Sequence, residues 1–274
     1  MLKRILGIFL ALFGWGLFFY PEVSSYYQTR YMREYVEEFQ LENNGLIKSE
    51  DKRYKESVLY NNKINEEKQN SFKNEWICTQ SSVFPQWSDD NRLGYLKIPV
   101  MDLKLPLFAG ASKKNMACGA AVLGGTSLPV GGINTNSVIA GHRGYKGSLF
   151  FKEIEKLKCG DKVYVQNPWE ELVYVVESRK IIDPYDIDSV KIQEDKDMIT
   201  LITCHPYRSN GKYRYVVYCV RDWGINAEEN NVGGEIPFES SEKEIQVEKI
   251  FRLICGTVFL CFSVFIVFRK GGKA

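Results

Sequence analysis

The chain has 274 residues, room for one substantial domain with accessory segments. Its 36 Lys and Arg stand against 34 Asp and Glu, a near-neutral balance that gives no electrostatic case for a nucleic-acid partner. The cysteines at 78, 118, 159, 204, 219, 255 and 261 form no CxxC pair and no zinc-like spacing, so neither a metal nor a cofactor is expected.

In chain order, Lys3 and Arg4 precede "ILGIFLALFGWGLFFY", Ile5 to Tyr20, a charge-free run that Pro21 is expected to end. The run is slightly shorter than the roughly 20 residues of a membrane span, and flanking residues with snorkelling Lys or Arg supply the difference. It lacks a small-x-small cleavage pattern, so residues 1–21 read as a cytoplasmic tip and an uncleaved transmembrane helix rather than a signal peptide. Residues 22–88 read as a helical juxtamembrane segment, with Tyr31, Tyr35, Val36 and Phe39 at helical spacing and "NNG" at 43–45 as a break.

Between 89 and 222 the texture changes to short runs rich in Val, Ile and Tyr, separated by Gly, Pro and Asn. "RLGYLKIP", "LKLPLFAG", "SVIAGH", "DKVYVQN", "ELVYVVESRKII", "DMITLITC" and "RYVVYCVRD" are the predicted strands. One helix is predicted at "SLFFKEIEKLKCGD", with Ser148 as N-cap and Gly160 as C-cap. Many strands and few short helices make a mainly β fold, a closed or nearly closed barrel. Residues 223–249 read as a polar linker, and 250–274 as a second transmembrane helix with a basic tail at Arg269, Lys270 and Lys273. Basic residues at both outer ends predict a two-pass protein of the cell membrane, with cytoplasmic termini and an extracytoplasmic domain between them. Membrane lipid is then a partner. Five cysteines outside the membrane is an odd number, so at least one stays a thiol.

Cys204 ends the strand "MITLIT" and His142 ends "SVIAGH". Taken alone, Cys204 reads as a buried, inert thiol and His142 as a hydrogen-bonded structural imidazole. Only one other histidine exists, His205, next to Cys204; neighbours on an extended chain point to opposite faces, so His142 is the better candidate acid/base. His205, Arg208 and Thr203 are then candidates for lining the cleft or binding substrate. The Asn-Gly of "RSNGK" signals a hairpin that returns Arg214 beside Cys204, where a guanidinium can steady an oxyanion.

"TLITC", with an arginine about ten residues on and "GHRG" about sixty residues upstream, resembles the sortases, membrane-anchored cysteine transpeptidases of Gram-positive bacteria. The resemblance runs from about Leu93 to Val220 and includes "GTSLPVGG" and "LFFKEIEKLKCGDKVYV". It implies an eight-stranded β-barrel, with Cys204 as nucleophile, His142 as acid/base and Arg214 as the oxyanion or substrate-orienting cation. It also implies cleavage of an LPxTG-like sorting signal between Thr and Gly, through a thioacyl-enzyme that is passed to an amine. The two-anchor layout looks most like class C, which polymerises pilins onto a lysine of the acceptor. An Asp-Pro-aromatic lid motif is absent between 22 and 92, and the cysteine is followed by "HPYRSNG" rather than a "TPYG.N" type loop. A class A enzyme anchoring proteins to the cell-wall cross-bridge therefore stays open. From a different functional class, so does a non-catalytic membrane-tethered binding module.

Overall fold

The apolar runs between 92 and 221 fold into β1 (Arg92–Ile98), β2 (Leu103–Ala109), β3 (Ala120–Val122), β4 (Thr135–Ala140), β5 (Lys162–Gln166), β6 (Glu171–Ile182), β7 (Asp197–His205) and β8 (Tyr213–Arg221). The strands close into a barrel in the order β1-β2-β3-β4-β7-β8-β6-β5, which leaves no open sheet edge. This computed structural model describes residues 2–43, 46–67, 69, 84–85, 91–144, 150–208, 211–224 and 240–269. Helices α1 (Leu2–Glu42), α2 (Lys52–Glu66), α3 (Lys113–Cys118) and α4 (Glu242–Arg269) and three short 3₁₀ turns complete the described elements.

The middle of the barrel is the ladder β4–β7–β8. β4 pairs with β7 in parallel, from Thr135 against Asp197 to Ala140 against Ile202. β7 pairs with β8 antiparallel, from Met198 against Val220 to His205 against Tyr213. Because side chains alternate along a strand, this register sorts residues by parity. Ile139, Ile199, Leu201, Tyr215, Val217 and Cys219 enter the barrel interior with Leu96, Leu105 and Val165. Val138, Met198, Ile202, Val216 and Tyr218 face outward into a second apolar cluster. β4 and β7 are therefore covered on both faces, which explains why "SVIA" and "MITLIT" read as continuous apolar runs.

The outer cluster is covered by α1. Tyr35, Val36 and Phe39, the helical stripe read from the sequence, pack with Tyr95 and Phe108, and the Tyr35 hydroxyl donates to the Gly94 carbonyl at 3.2 Å. α2 docks through one buried side-chain amide: Asn61 Nδ2 donates to the Leu128 carbonyl at 3.0 Å, and the Leu128 N–H returns a bond to Asn61 Oδ1 at 2.7 Å. Both ends of a strand-like hydrogen-bond pair are thereby satisfied, holding the "GTSLP" loop against the helix.

Several expectations are corrected. The helix predicted at 148–161 is only a 3₁₀ turn at Ile154–Lys156. Phe150 takes a φ of +38°, which a right-handed helix does not admit, although Phe150, Phe151, Ile154 and Leu157 are all buried as the pattern requires. The predicted cap Ser148 lies outside the described residues. Pro21 does not end α1, which continues through it to Glu42; residues 44–45 of the "NNG" break are outside the described residues. The linker expected over 223–249 is already helical from Glu242, and 225–239 lie outside the described residues. Apart from these corrections, no helix among the described residues is long and apolar enough to cross a membrane. Cys118, Cys159, Cys204, Cys219 and Cys255 are free thiols; Cys78 lies outside the described residues.

Gly94 tests the barrel closure between β1 and β5. Its φ is +145°, and a Cβ there would stand 1.8 Å from the Gln166 carbonyl oxygen, a backbone atom that cannot swing away. Gly94→Ala is expected to cost about 3 kcal/mol or more, at the upper end of overpacking penalties. Urea denaturation of the parent and the variant measures it.

Candidate active site

The register that sorts the core also lines up the reactive groups. Cys204 lies directly opposite Arg214 in the β7–β8 ladder, so both side chains leave the same face. β4 and β7 stop pairing at Ala140 and Ile202, and the chains stay joined beyond that point. The Gly141 N–H donates to the Ile202 carbonyl at 3.1 Å, and Thr203 Oγ1 donates to the Gly141 carbonyl at 2.6 Å. One residue further, His142 and Cys204 stand side by side at neighbouring strand ends. His142, Cys204 and Arg214 thus share outward parity at one end of three adjacent strands, and all three are half-buried.

Gly211 brings the arginine head to the sulfur. With φ +79° it turns the chain into β8, and Arg214 Nη1 donates to its carbonyl at 2.7 Å and to the Tyr213 carbonyl at 3.2 Å. A Cβ on Gly211 would lie 2.7 Å from Arg214 Nη1 and 3.3 Å from Cys204 Sγ, so only glycine leaves room for both groups. Carbonyls that orient the guanidinium leave it further donors for a ligand's oxygen. Burial pushes the His142 imidazole below its ordinary value, favouring the neutral form, and its ring meets Phe150 edge-on at 6.2 Å.

The other candidates sit elsewhere. Thr203 and His205 have inward parity and are each 3% exposed, so neither lines an outer cleft; this corrects the expectation for both. Thr203 is a tie between β7 and the "GHRG" loop. Arg208 is solvent-exposed, and its Nη2 pairs with Glu248 on α4 at 2.9 Å.

Behind the outward-facing trio lies a buried polar cluster that the sequence reading missed. Arg143 Nη2 donates to Glu155 Oε1 at 2.5 Å, and His205 Nδ1 approaches the same oxygen at 3.5 Å without forming a hydrogen bond. The Arg143 guanidinium lies over the Tyr215 ring at 5.6 Å, and His205 is 5.8 Å from that ring. Glu155 Oε2 accepts from Ser240 Oγ at 2.7 Å and from the Ser241 N–H at 2.9 Å, where α4 begins. Burial works against ionising Glu155, but His205, Arg143 and Ser240 more than offset it and hold its carboxyl at about 2. No periodicity points to Glu155. Its partners could have been found only as the chain neighbours of residues already singled out.

A half-buried thiol, an imidazole and a guanidinium thus stand at one end of adjacent strands of a closed β-barrel. A family model described as the sortase domain matches residues 96–222. A sortase C from Clostridium perfringens, solved with the C-terminal cell wall sorting motif, is 33% identical with a TM-score of 0.56, and the match covers 69% of this chain and 98% of that one. Sortase C1 of GBS Pilus Island 1 is 26% identical with a TM-score of 0.63, covering 70% and 98%. Sortase A of Bacillus anthracis is 36% identical over 127 residues, 46% of this chain and 57% of that relative, so the chain spans little over half of that relative's length. The chain belongs to the sortase family.

The depressed carboxyl has a pH consequence. Glu155 titrates at about 2 when folded against an ordinary 4.5, so the stability it contributes is complete above about pH 4.5 and is lost as pH falls toward about 2. Glu155→Gln should therefore lose less of its denaturation midpoint than the parent between about pH 5 and pH 3. Urea titrations at the two pH values measure it, and equal losses would contradict the assignment.

Proposed function

We propose that this protein is a cysteine transpeptidase acting on LPxTG-like sorting signals, with Cys204 as nucleophile, His142 as acid/base and Arg214 as the oxyanion donor. The observation that carries the reading is the alignment of these residues at adjacent ends of β4, β7 and β8, with Arg214 Nη1 and Cys204 Sγ meeting at the bare Cα of Gly211.

The Cys204 thiolate attacks the carbonyl carbon of the threonine at the Thr–Gly bond. Negative charge develops on the carbonyl oxygen, where the Arg214 fork donates. Collapse breaks the C–N bond, protonated His142 gives its proton to the departing glycine amine, and a thioester remains on Cys204. An incoming amine then attacks the thioester while neutral His142 accepts a proton from it. The new amide leaves with the sorting signal, and Cys204 returns to the thiolate. No step calls for a metal or a cofactor.

The acceptor we favour is a pilin lysine, as in class C. The matches to sortase C chains run over 98% of those chains. Anchoring to a cell-wall cross-bridge would require the same chemistry with a different amine, and product masses distinguish the two.

The proposal includes a two-pass arrangement with both termini cytoplasmic and the barrel outside. Three features support it. The charge-free runs 5–20 and 253–268 carry basic residues at their outer ends. Large apolar side chains lie uncovered on both helices, at Phe9, Phe13 and Tyr20 on α1 and at Phe251, Leu253, Ile254 and Val258 on α4. The helices also run side by side: Arg252 Nη1 pairs with Glu22 at 3.1 Å, and beyond that pair Trp15 meets Phe259 at 5.9 Å.

Incubating the protein with an LPxTG peptide and an added amine, then weighing the products, tests the activity. Cys204→Ala should abolish both cleavage and amide formation, and retained cleavage would refute the nucleophile. Arg214→Lys should lower kcat by about 10²-fold or more, the cost of losing one oxyanion donor, because an ammonium lacks the fork.

A further inference from the structure

Each member of the outward trio is followed by a residue of opposite parity: Arg143 after His142, His205 after Cys204, and Tyr215 after Arg214. All three successors are buried, and they gather around one carboxylate. Arg143 bonds Glu155 Oε1 at 2.5 Å, His205 reaches the same oxygen at 3.5 Å, and both stand against the Tyr215 ring at 5.6 and 5.8 Å. The second carboxylate oxygen is taken by Ser240 and Ser241, the entry to α4.

We infer that Glu155 is a positioning residue of the active site, and that α4 belongs to the catalytic support through Glu155 and Glu248. The inference rests on the transpeptidase reading above and deepens it.

The physical case is one of constraint. His142 sits beyond the last pair of the β4–β7 ladder, and Cys204 there keeps only its β8 partner, so the two chains are held to each other less closely than within the sheet. The segment after His205 leaves the sheet before β8 begins. A residue in such a position keeps its angle only if its neighbours are held; Glu155 bonds Arg143, stands 3.5 Å from His205, and reaches Tyr215 through those two side chains packed against its ring. Arg143 is fixed further by its Nε bond to the Lys152 carbonyl at 3.2 Å. A charge-assisted contact at this burial has few alternative geometries.

α4 supplies the second brace, on the loop between β7 and β8. Tyr207 donates its N–H to Ser241 Oγ at 3.1 Å and its hydroxyl to Glu248 Oε2 at 2.8 Å. Glu248 also pairs with Lys152 at 3.2 Å, Arg208 at 2.9 Å and Arg252 at 3.0 Å. Lys152 therefore meets Glu248 through its ammonium and Arg143 through its carbonyl, which joins the two braces. A helix that leads toward the membrane is in this way tied to the turn that follows the nucleophile. The elements carrying the trio and the element carrying the C-terminal apolar run form one polar network.

The test uses the full-length protein and two readouts: steady-state transpeptidation of an LPxTG peptide, and the pH profile of Cys204 alkylation by iodoacetamide. Glu155→Gln keeps the shape of the side chain and removes its charge. If Glu155 positions the trio, kcat should fall about tenfold or more while KM stays within about twofold, because misplacement by a fraction of an ångström acts on the reacting geometry rather than on binding. The midpoint of the alkylation profile should move, and Glu155→Asp should restore part of kcat. Glu248→Gln should lower kcat severalfold in a folded protein, and it decides the case if Glu155→Gln does not fold. Unchanged kcat and an unchanged alkylation midpoint in folded variants would overturn the inference, as would a loss confined to KM. Absence of cleavage by the parent protein would instead refute the transpeptidase reading. The alkylation profile would still judge Glu155 on its own.

Discussion

Pairing between β7 and the two strands beside it is the constraint on which the rest of the molecule depends. The parallel register with β4 and the antiparallel register with β8 put alternate residues into the barrel and out of it, and both faces are filled with apolar side chains. A slip of one residue would turn Ile199 and Leu201 out of the interior and bring the even-numbered side chains in. The same slip would carry Cys204 into the barrel and away from His142 and Arg214. Packing and chemistry are therefore held by one geometric fact, and the site inherits the stability of the core beneath it.

That arrangement leaves a problem at the strand ends, where the ladder stops and the reactive side chains begin. The structure meets it with polar contacts on the opposite side of the chain from the chemistry. Thr203 ties β7 to Gly141, and the Glu155 cluster gathers the three residues that follow the trio. Burying an arginine, a carboxylate and an imidazole together is costly unless partners are found, and the carboxylate accepts three hydrogen bonds with His205 3.5 Å away. Such a cluster contributes defined geometry more than net stability. Arg214 is treated likewise, its head being held by two backbone carbonyls while the thiol stands opposite.

The accessory helices extend the same logic. α1 lays its aromatic stripe over the outer cluster, α2 clamps the loop at Leu128 through Asn61, and α4 meets the turn after Cys204 through Glu248. Each contact is made by a few specific polar or aromatic groups at a point where the barrel leaves a backbone group or a loop unsupported. The barrel alone would present the trio, and the helices limit how far its loops can move.

Much of this was legible in the residues. β-branched and aromatic runs bounded by turn residues located seven of the eight strands. Asn-Gly before Arg214 foretold the return of β8 to Cys204, and alternation along an extended chain placed His205 on the opposite face from Cys204. These are local properties, set by side-chain shape and backbone period, and they survive into the fold unchanged. The three-residue β3 was too short to leave a period. The helix expected around Phe150 failed because Phe150 takes a positive φ as its chain packs into the core, a demand of the barrel that no local pattern records. Glu155 was invisible for the same reason: its partners lie at 143, 205 and 240–241, distant in sequence and brought together only by barrel closure and the docking of α4. Sequence alone determined on which side of a strand Cys204, His205 and Arg214 would lie. Only the tertiary structure decided what stands behind them, because long-range contacts between buried charges depend on where the whole chain has already been packed.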